Sequence, residues 1–238
     1  MLGNRVIIGK KHKDEGEKPF WISFADLMTA LMVLFLLVMS VALLAVTKTA
    51  SETEQRKATR EEDIGQLLTQ LEDVAKQYPG MTINRERNVI DFGNRARFET
   101  GSSQLTREQA KYLRGFLPKL LALSQAQPGS KWLKRIVVEG FADQRGDYLM
   151  NLNLSLQRSQ RVLCVLLANV ATENIPLSEA DKEKVRDLFL VGGYSFNSAK
   201  KSLEESRRIE LRLEYYELDE PRVKNEDVPR GNFGICRI

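Results

Sequence analysis

The sequence predicts an α+β protein: a single N-terminal transmembrane helix followed by a two-layer α/β domain. Three observations predict it. Leu27 to Val46 is an unbroken run whose only polar members are Thr29 and Ser40, and at about 1.5 Å rise per residue it spans roughly 30 Å, one bilayer core. Beyond residue 81, helical and strand periodicities alternate, the pattern of helices packed on a sheet. Near the end, Arg208 to Tyr216 alternates cleanly, with Ile209, Leu211, Leu213 and Tyr215 on one side and Arg208, Glu210, Arg212 and Glu214 on the other. That is the signature of a half-buried strand.

Composition narrows the class. Of 238 residues, 29% are charged and 42% hydrophobic, and mean hydropathy is -0.33; these are globular averages, which exclude full disorder and a many-span membrane protein. The net charge of +4 comes without a basic block, so the surface reads as ordinarily solvated and no direct nucleic-acid partner is expected. His12 is the sole histidine, the two cysteines are Cys164 and Cys236, and no C-x-x-C occurs. No metal site and no Cys–His nucleophile are therefore expected, and the chain does not read as an enzyme. In an oxidising compartment Cys164 and Cys236 can form one disulfide pinning the C-terminal tail; two separate thiols are the alternative.

The elements follow in order. Residues 1–19 form a tail. The helix of residues 20–46 starts well, with Pro19 at its entry and Phe20 and Trp21 where an interfacial aromatic belt would lie. Its apolar run is longer than that of a signal peptide and lacks a small-residue cleavage site, so an uncleaved anchor is expected. Five Lys/Arg in residues 5–19 face four in residues 47–61; the positive-inside rule favours a cytoplasmic N-terminus by that narrow margin. Asp26 lies inside this helix. A charged Asp at mid-membrane costs about 2.5–3.5 kcal/mol, and such a residue normally faces protein or water and marks an ion path. An interfacial Asp without a special role is the alternative.

Residues 47–80 read as a linker. Its helix starts at the capping-box pattern Ser51-Glu52-Thr53-Glu54, carries Ile64, Leu67, Leu68, Leu71, Val74, Ala75 and Tyr78 at helical spacing, and stops at Pro79-Gly80. Its stripe either pairs two copies or packs on the domain that follows. In the domain, residues 81–218, Met81 to Phe92 reads as a strand pair or one long strand. Helices are expected over Thr106 to Ala126, Leu154 to Val170 and Ser178 to Asp187, and short strands over Arg135 to Glu139 and Leu188 to Val191. Residues 219–238 are a C-terminal tail.

Two stretches resemble known families. Pro19-Phe20-Trp21-Ile22-Ser23-Phe24-Ala25-Asp26-Leu27-Met28-Thr29-Ala30-Leu31-Met32 resembles the membrane entry of MotB-type stator subunits. In that family a Trp, a Phe/Tyr-Ala-Asp element and a Met-Thr-Ala run surround the proton-carrying aspartate. The resemblance assigns that role to Asp26. Gly140-Phe141-Ala142-Asp143-Gln144-Arg145-Gly146, followed by Asn151-Leu152-Asn153-Leu154-Ser155-Leu156-Gln157-Arg158-Ser159, is similar to the OmpA-like peptidoglycan-binding domain. That family shows Gly-His-Thr-Asp-x-x-Gly and then Asn-x-x-Leu-Ser-x-x-Arg-Ala. Phe98 with Gly101-Ser102-Ser103-Gln104-Leu105, and Ser206-Arg207-Arg208-Ile209-Glu210-Leu211, match its flanking segments. The chain departs from the pattern at Phe141 (His), Ala142 (Thr) and Ser206 (Asn).

The chemistry fits. Diaminopimelate in a cell-wall stem peptide ends in both an ammonium and a carboxylate, so its site needs a fixed anion and a fixed cation. The resemblance implies that Asp143 takes the ammonium, that Arg158 offers its planar fork to the carboxylate, and that Asn151 shapes the loop. A structural Asp–Arg pair is the bland alternative. Together the two resemblances imply a bacterial inner-membrane, single-pass stator subunit with a cytoplasmic N-terminus and a periplasmic OmpA-like domain. It would have no cofactor beyond the coupling ion, a proton, with sodium as the other choice. Its partners would be peptidoglycan, a second copy of itself, and a ring of five MotA-like membrane subunits around the two copies. The short connection and the run after Asp26 are most similar to the ZorB-type stators of Zorya anti-phage defence, whose MotA-like partner is ZorA. A flagellar MotB-type stator and a non-conducting OmpA-like wall tether are the alternatives.

Overall fold

The computed structural model describes residues 18–168, 177–222, 231 and 233–234. His12, Cys236, Val170 and most of the expected C-terminal tail lie outside the described residues. Helix α1 runs Lys18–Ala75 without interruption, where two helices with a new start at Ser51 were expected. No Gly or Pro falls between residues 20 and 64 to stop it. The Thr hydroxyls that could cap instead turn inward along the helix: Thr47, Thr49 and Thr53 donate to the carbonyls of Leu43, Ala45 and Thr49.

The chain forms two compact units, Met1–Arg56 and Lys57–Ile238. In the first, α1 is long and apolar enough to cross a membrane. Its large apolar side chains from Trp21 to Val46 are all exposed. Thr29 and Ser40, the polar interruptions, satisfy their hydroxyls on the Ala25 and Leu36 carbonyls, both at 2.7 Å, which removes the cost of placing them in an apolar medium.

In the second unit the end of α1 is a core helix. Leu67, Leu68, Leu71 and Ala75 are buried in the domain's main cluster, with Ile64 and Val74 at its edge. The stripe left open by the sequence therefore packs on the domain that follows. Polar anchors fix its register: the Asp63 carboxylate accepts from Lys131 Nζ at 2.8 Å and Trp132 Nε1 at 2.7 Å, and Arg60 Nε donates to the Tyr216 carbonyl at 2.9 Å. The second half of the expected linker thus belongs to the compact unit, which begins at Lys57.

The sheet is five-stranded in the order β1-β2-β5-β3-β4. β1 (Thr82–Asn84) and β2 (Val89–Asp91) form the hairpin read from Met81 to Phe92. β3 (Leu133–Gly140) pairs antiparallel with β5 (Ile209–Tyr215) and parallel with β4 (Phe189–Gly193). Helices α2 (Arg107–Gln125), α4 (Tyr148–Leu167) and α5 (Glu179–Leu188) cover it; the single turns α3 (Gly129–Trp132) and α6 (Leu203–Ser206) carry too few residues to leave a periodic signal. Thr106 and Gln109 close a reciprocal capping box on α2, which buries Leu113, Phe116, Leu117, Leu120 and Leu121 as their spacing predicts. Helix α4 starts at Tyr148, six residues before the expected Leu154, because Asp147 caps it by accepting from Met150 N at 2.8 Å.

The polar side of β5 differs from expectation. Glu210 and Arg208 are buried rather than solvated. Arg208 Nε and Arg87 Nη2 donate to the Glu210 carboxylate at 2.7 and 2.8 Å, and Arg212 grips the buried Glu139 of β3 at 2.5 and 3.0 Å. Paired charges therefore cover this face where water was expected.

Candidate functional site

The site is built where β3 hands over to α4. Glycine is required at Gly140, the last residue of β3: a Cβ there would lie 2.0 Å from the Ser155 carbonyl oxygen, and one at Gly193 would lie 2.7 Å from Ser155 Oγ. The two bare backbones let α4 sit against the strand ends. Beyond Gly140 the chain is held on both sides, by Phe141 N donating to the Arg208 carbonyl at 3.0 Å and Ala142 N to the Ser195 carbonyl at 2.8 Å. Phe141, at the family's His position, is buried. Its ring stacks on Tyr194 with centroids 5.4 Å apart, and the Arg208 guanidinium lies 4.1 Å from its centroid.

Asp143 follows, only 6% exposed. Its Oδ1 accepts from Arg145 N at 3.1 Å and Arg145 Nε at 3.3 Å; its Oδ2 accepts from Arg145 Nη2 at 2.7 Å and Arg207 Nη1 at 3.1 Å. The Arg145 side-chain bonds, with help from Arg207 and against the cost of burial, lower the carboxyl to about 2. The loop is set by Gly146, whose φ of +90° suits glycine, and by Asn151, which donates Nδ2 to the Arg145 carbonyl at 2.8 Å.

Arg158 is fully buried. Its Nε donates to the Ser102 carbonyl at 2.9 Å, Nη1 to the Phe141 carbonyl at 2.7 Å and Nη2 to the Glu99 carbonyl at 3.1 Å, while its guanidinium carbon lies 5.0 Å from the Phe98 ring centroid. Burial lowers it to about 10, and the nearby charge of Asp143 opposes that shift, so it stays cationic at neutral pH. The structure thus brings Asp143, Asn151, Ser155 and Arg158 to one corner, but no ion pair joins Asp143 to Arg158 among the described residues. The arginines on the carboxylate are Arg145 and Arg207. Both stand inside motifs visible in the sequence; Arg145 lies two residues from Asp143, whereas the pairing with Arg207 spans 64 residues and leaves no local signal.

Asp26 lies in the other unit, on the exposed apolar stretch of α1. Among the described residues its carboxylate has no hydrogen-bond partner. Between Trp21 and Thr47 it is the only ionisable side chain. Cys164, on α4, is disulfide-bonded.

Residues 8–54, the stretch that contains Asp26, match the family described as membrane MotB of the proton-channel complex MotA/MotB. The Zorya protein ZorB of Escherichia coli O139:H28 (strain E24377A / ETEC) is 43% identical over 242 residues, covering 100% of this chain and 98% of that protein. Among solved structures, the periplasmic domain of Helicobacter pylori MotB is 14% identical, covers 61% of this chain and 86% of its own, and superposes with a TM-score of 0.42. The OmpA-like domain of FopA1 from Francisella tularensis is 16% identical over 58% of this chain and 82% of its own, with a TM-score of 0.36.

Proposed function

The chain belongs to the ZorB family, and from that premise we propose that it is the wall-anchored stator subunit of a proton-driven inner-membrane motor acting in anti-phage defence. The observation that carries this reading is Asp26: an acid without a hydrogen-bond partner among the described residues, on an exposed apolar helix, within the segment that matches the MotB family. An acid in that setting has to be answered by water or by a partner protein. The N-terminus is cytoplasmic and the C-terminal domain periplasmic. Two copies sit within a ring of five MotA-like, ZorA-type subunits.

The mechanism follows from charge. A proton arriving from the periplasm neutralises Asp26; its release to the cytoplasm restores the carboxylate. The two forms differ in their contacts with the partner ring, and only such a difference can bias the ring between two conformations. The drive is about 2.3 kcal/mol per charge per 100 mV. A sodium ion would need further oxygen ligands, which Thr29, whose hydroxyl donates its proton to the Ala25 carbonyl and keeps its lone pairs, or a partner helix would supply.

Motion needs a fixed point. Asp143 takes the ammonium of a diaminopimelate end, Arg158 supplies positive charge for its carboxylate from beneath, and Asn151 holds the loop. The test is phage plating on cells carrying Asp26→Asn. Protection falls to that of cells without the protein, while membrane level and retention on purified sacculi stay unchanged. Full protection would remove the ion-driven reading and leave a wall tether.

A further inference from the structure

Arg145 has no role in the reading above, yet it dominates the surroundings of Asp143. Its guanidinium lies along the carboxylate as a fork, Nε to Oδ1 at 3.3 Å and Nη2 to Oδ2 at 2.7 Å. Together with the Arg145 backbone N–H and Arg207 these bonds use both carboxylate oxygens twice, so an incoming ammonium meets an anion already satisfied. The two partners differ in access. The Asp143 side chain is 7% exposed and that of Arg145 is 52% exposed. The Arg145 backbone is pinned by Asn151, whereas, apart from Asp143, its head group is held among the described residues by Thr100 Oγ1 at 2.9 Å. The head can therefore leave without disturbing the loop. Arg158 cannot do the same, because it is fully buried with three donors committed to main-chain carbonyls.

Resting on the wall-binding reading, we propose that Arg145 is a specificity-determining residue: it occupies the ammonium position on Asp143 in the empty site and transfers to the ligand's carboxylate when a zwitterionic end arrives. The exchange conserves ion pairs only for a ligand bearing both charges. A diaminopimelate end places its ammonium on Asp143 and its carboxylate within reach of the displaced guanidinium. A lysine end displaces the same guanidinium and offers it nothing, so it binds against a lost charge-assisted fork. Discrimination thus comes from the penalty on the wrong ligand as much as from a contact to the right one.

The test uses the full-length chain in detergent and two stem peptides, identical except for meso-diaminopimelate or lysine at the third position, with affinities from calorimetry. The unaltered chain prefers the diaminopimelate peptide by about tenfold, the scale of one bidentate charge pair. Arg145→Ala and the shorter, uncharged but polar Arg145→Gln both bring the ratio to within about twofold, through weaker diaminopimelate binding, stronger lysine binding or both. An unchanged ratio in both variants overturns the proposal while leaving the wall-binding reading in place. No binding of either peptide by the unaltered chain overturns both. A fold control is a single cooperative unfolding transition, which Arg145→Gln retains, with its midpoint lowered by loss of the fork on the nearly buried Asp143.

Discussion

Asp26 and Asp143 are the same side chain in opposite surroundings. Asp26 stands on an exposed apolar helix with no hydrogen-bond partner among the described residues; Asp143 is nearly buried and holds four donor contacts from two arginines. A carboxylate clamped by cations keeps its charge, so Asp143 suits steady binding of a cation and is poorly suited to taking up protons near neutral pH. In the proposed reading the contrast separates two tasks, proton turnover at Asp26 and grip at Asp143. Helix α1 repeats it along a single element: Leu36 is exposed, and Leu71 is buried in the domain core.

The largest way to break the contrast is to neutralise the turnover acid, and Asp26→Asn is expected to abolish protection in plating assays while sparing sacculus retention. The converse pair is next. Asp143→Ala with Arg158→Ala is expected to lose co-sedimentation with purified sacculi; retention equal to the parent chain would detach the site from the wall. Leu71→Ala should cost the domain about 2–5 kcal/mol in urea unfolding, whereas Leu36→Ala should leave that transition where it was. An equal cost at both positions would contradict the different burial of the two halves. The smallest effect is a pH dependence. The folded carboxyl of Asp143 is lowered to about 2, below the unfolded value of about 3.9, so its contribution is complete above about pH 4 and is lost as pH falls toward about 2. Asp143→Asn should flatten that part of the stability profile, read as the urea midpoint across pH.

Much of this was legible in the sequence. The anchor followed from an apolar run with one acid in it, and β5 from strict alternation. Asp143, Asn151 and Arg158 were singled out by the resemblance of residues 140–159 to the OmpA-like motif. What could not be read had a common cause. The Arg207 partner of Asp143, the burial of Glu210 and the docking of the α1 stripe all depend on pairings across long stretches of chain, such as Arg87 with Glu210 and Lys131 with Asp63. Local patterns fix which face of an element is apolar; they do not say what will cover it. The unbroken α1 was missed for another reason. Ser51-Glu52-Thr53-Glu54 has the letters of a cap, but with no Gly or Pro upstream the backbone had no cause to stop.

Because all three Arg158 donors end on main-chain oxygens, the identity of the side chains at residues 99, 102 and 141 does not enter those bonds. The guanidinium is thus held by the course of the backbone: exchanging one of these side chains leaves the carbonyl that receives it in place.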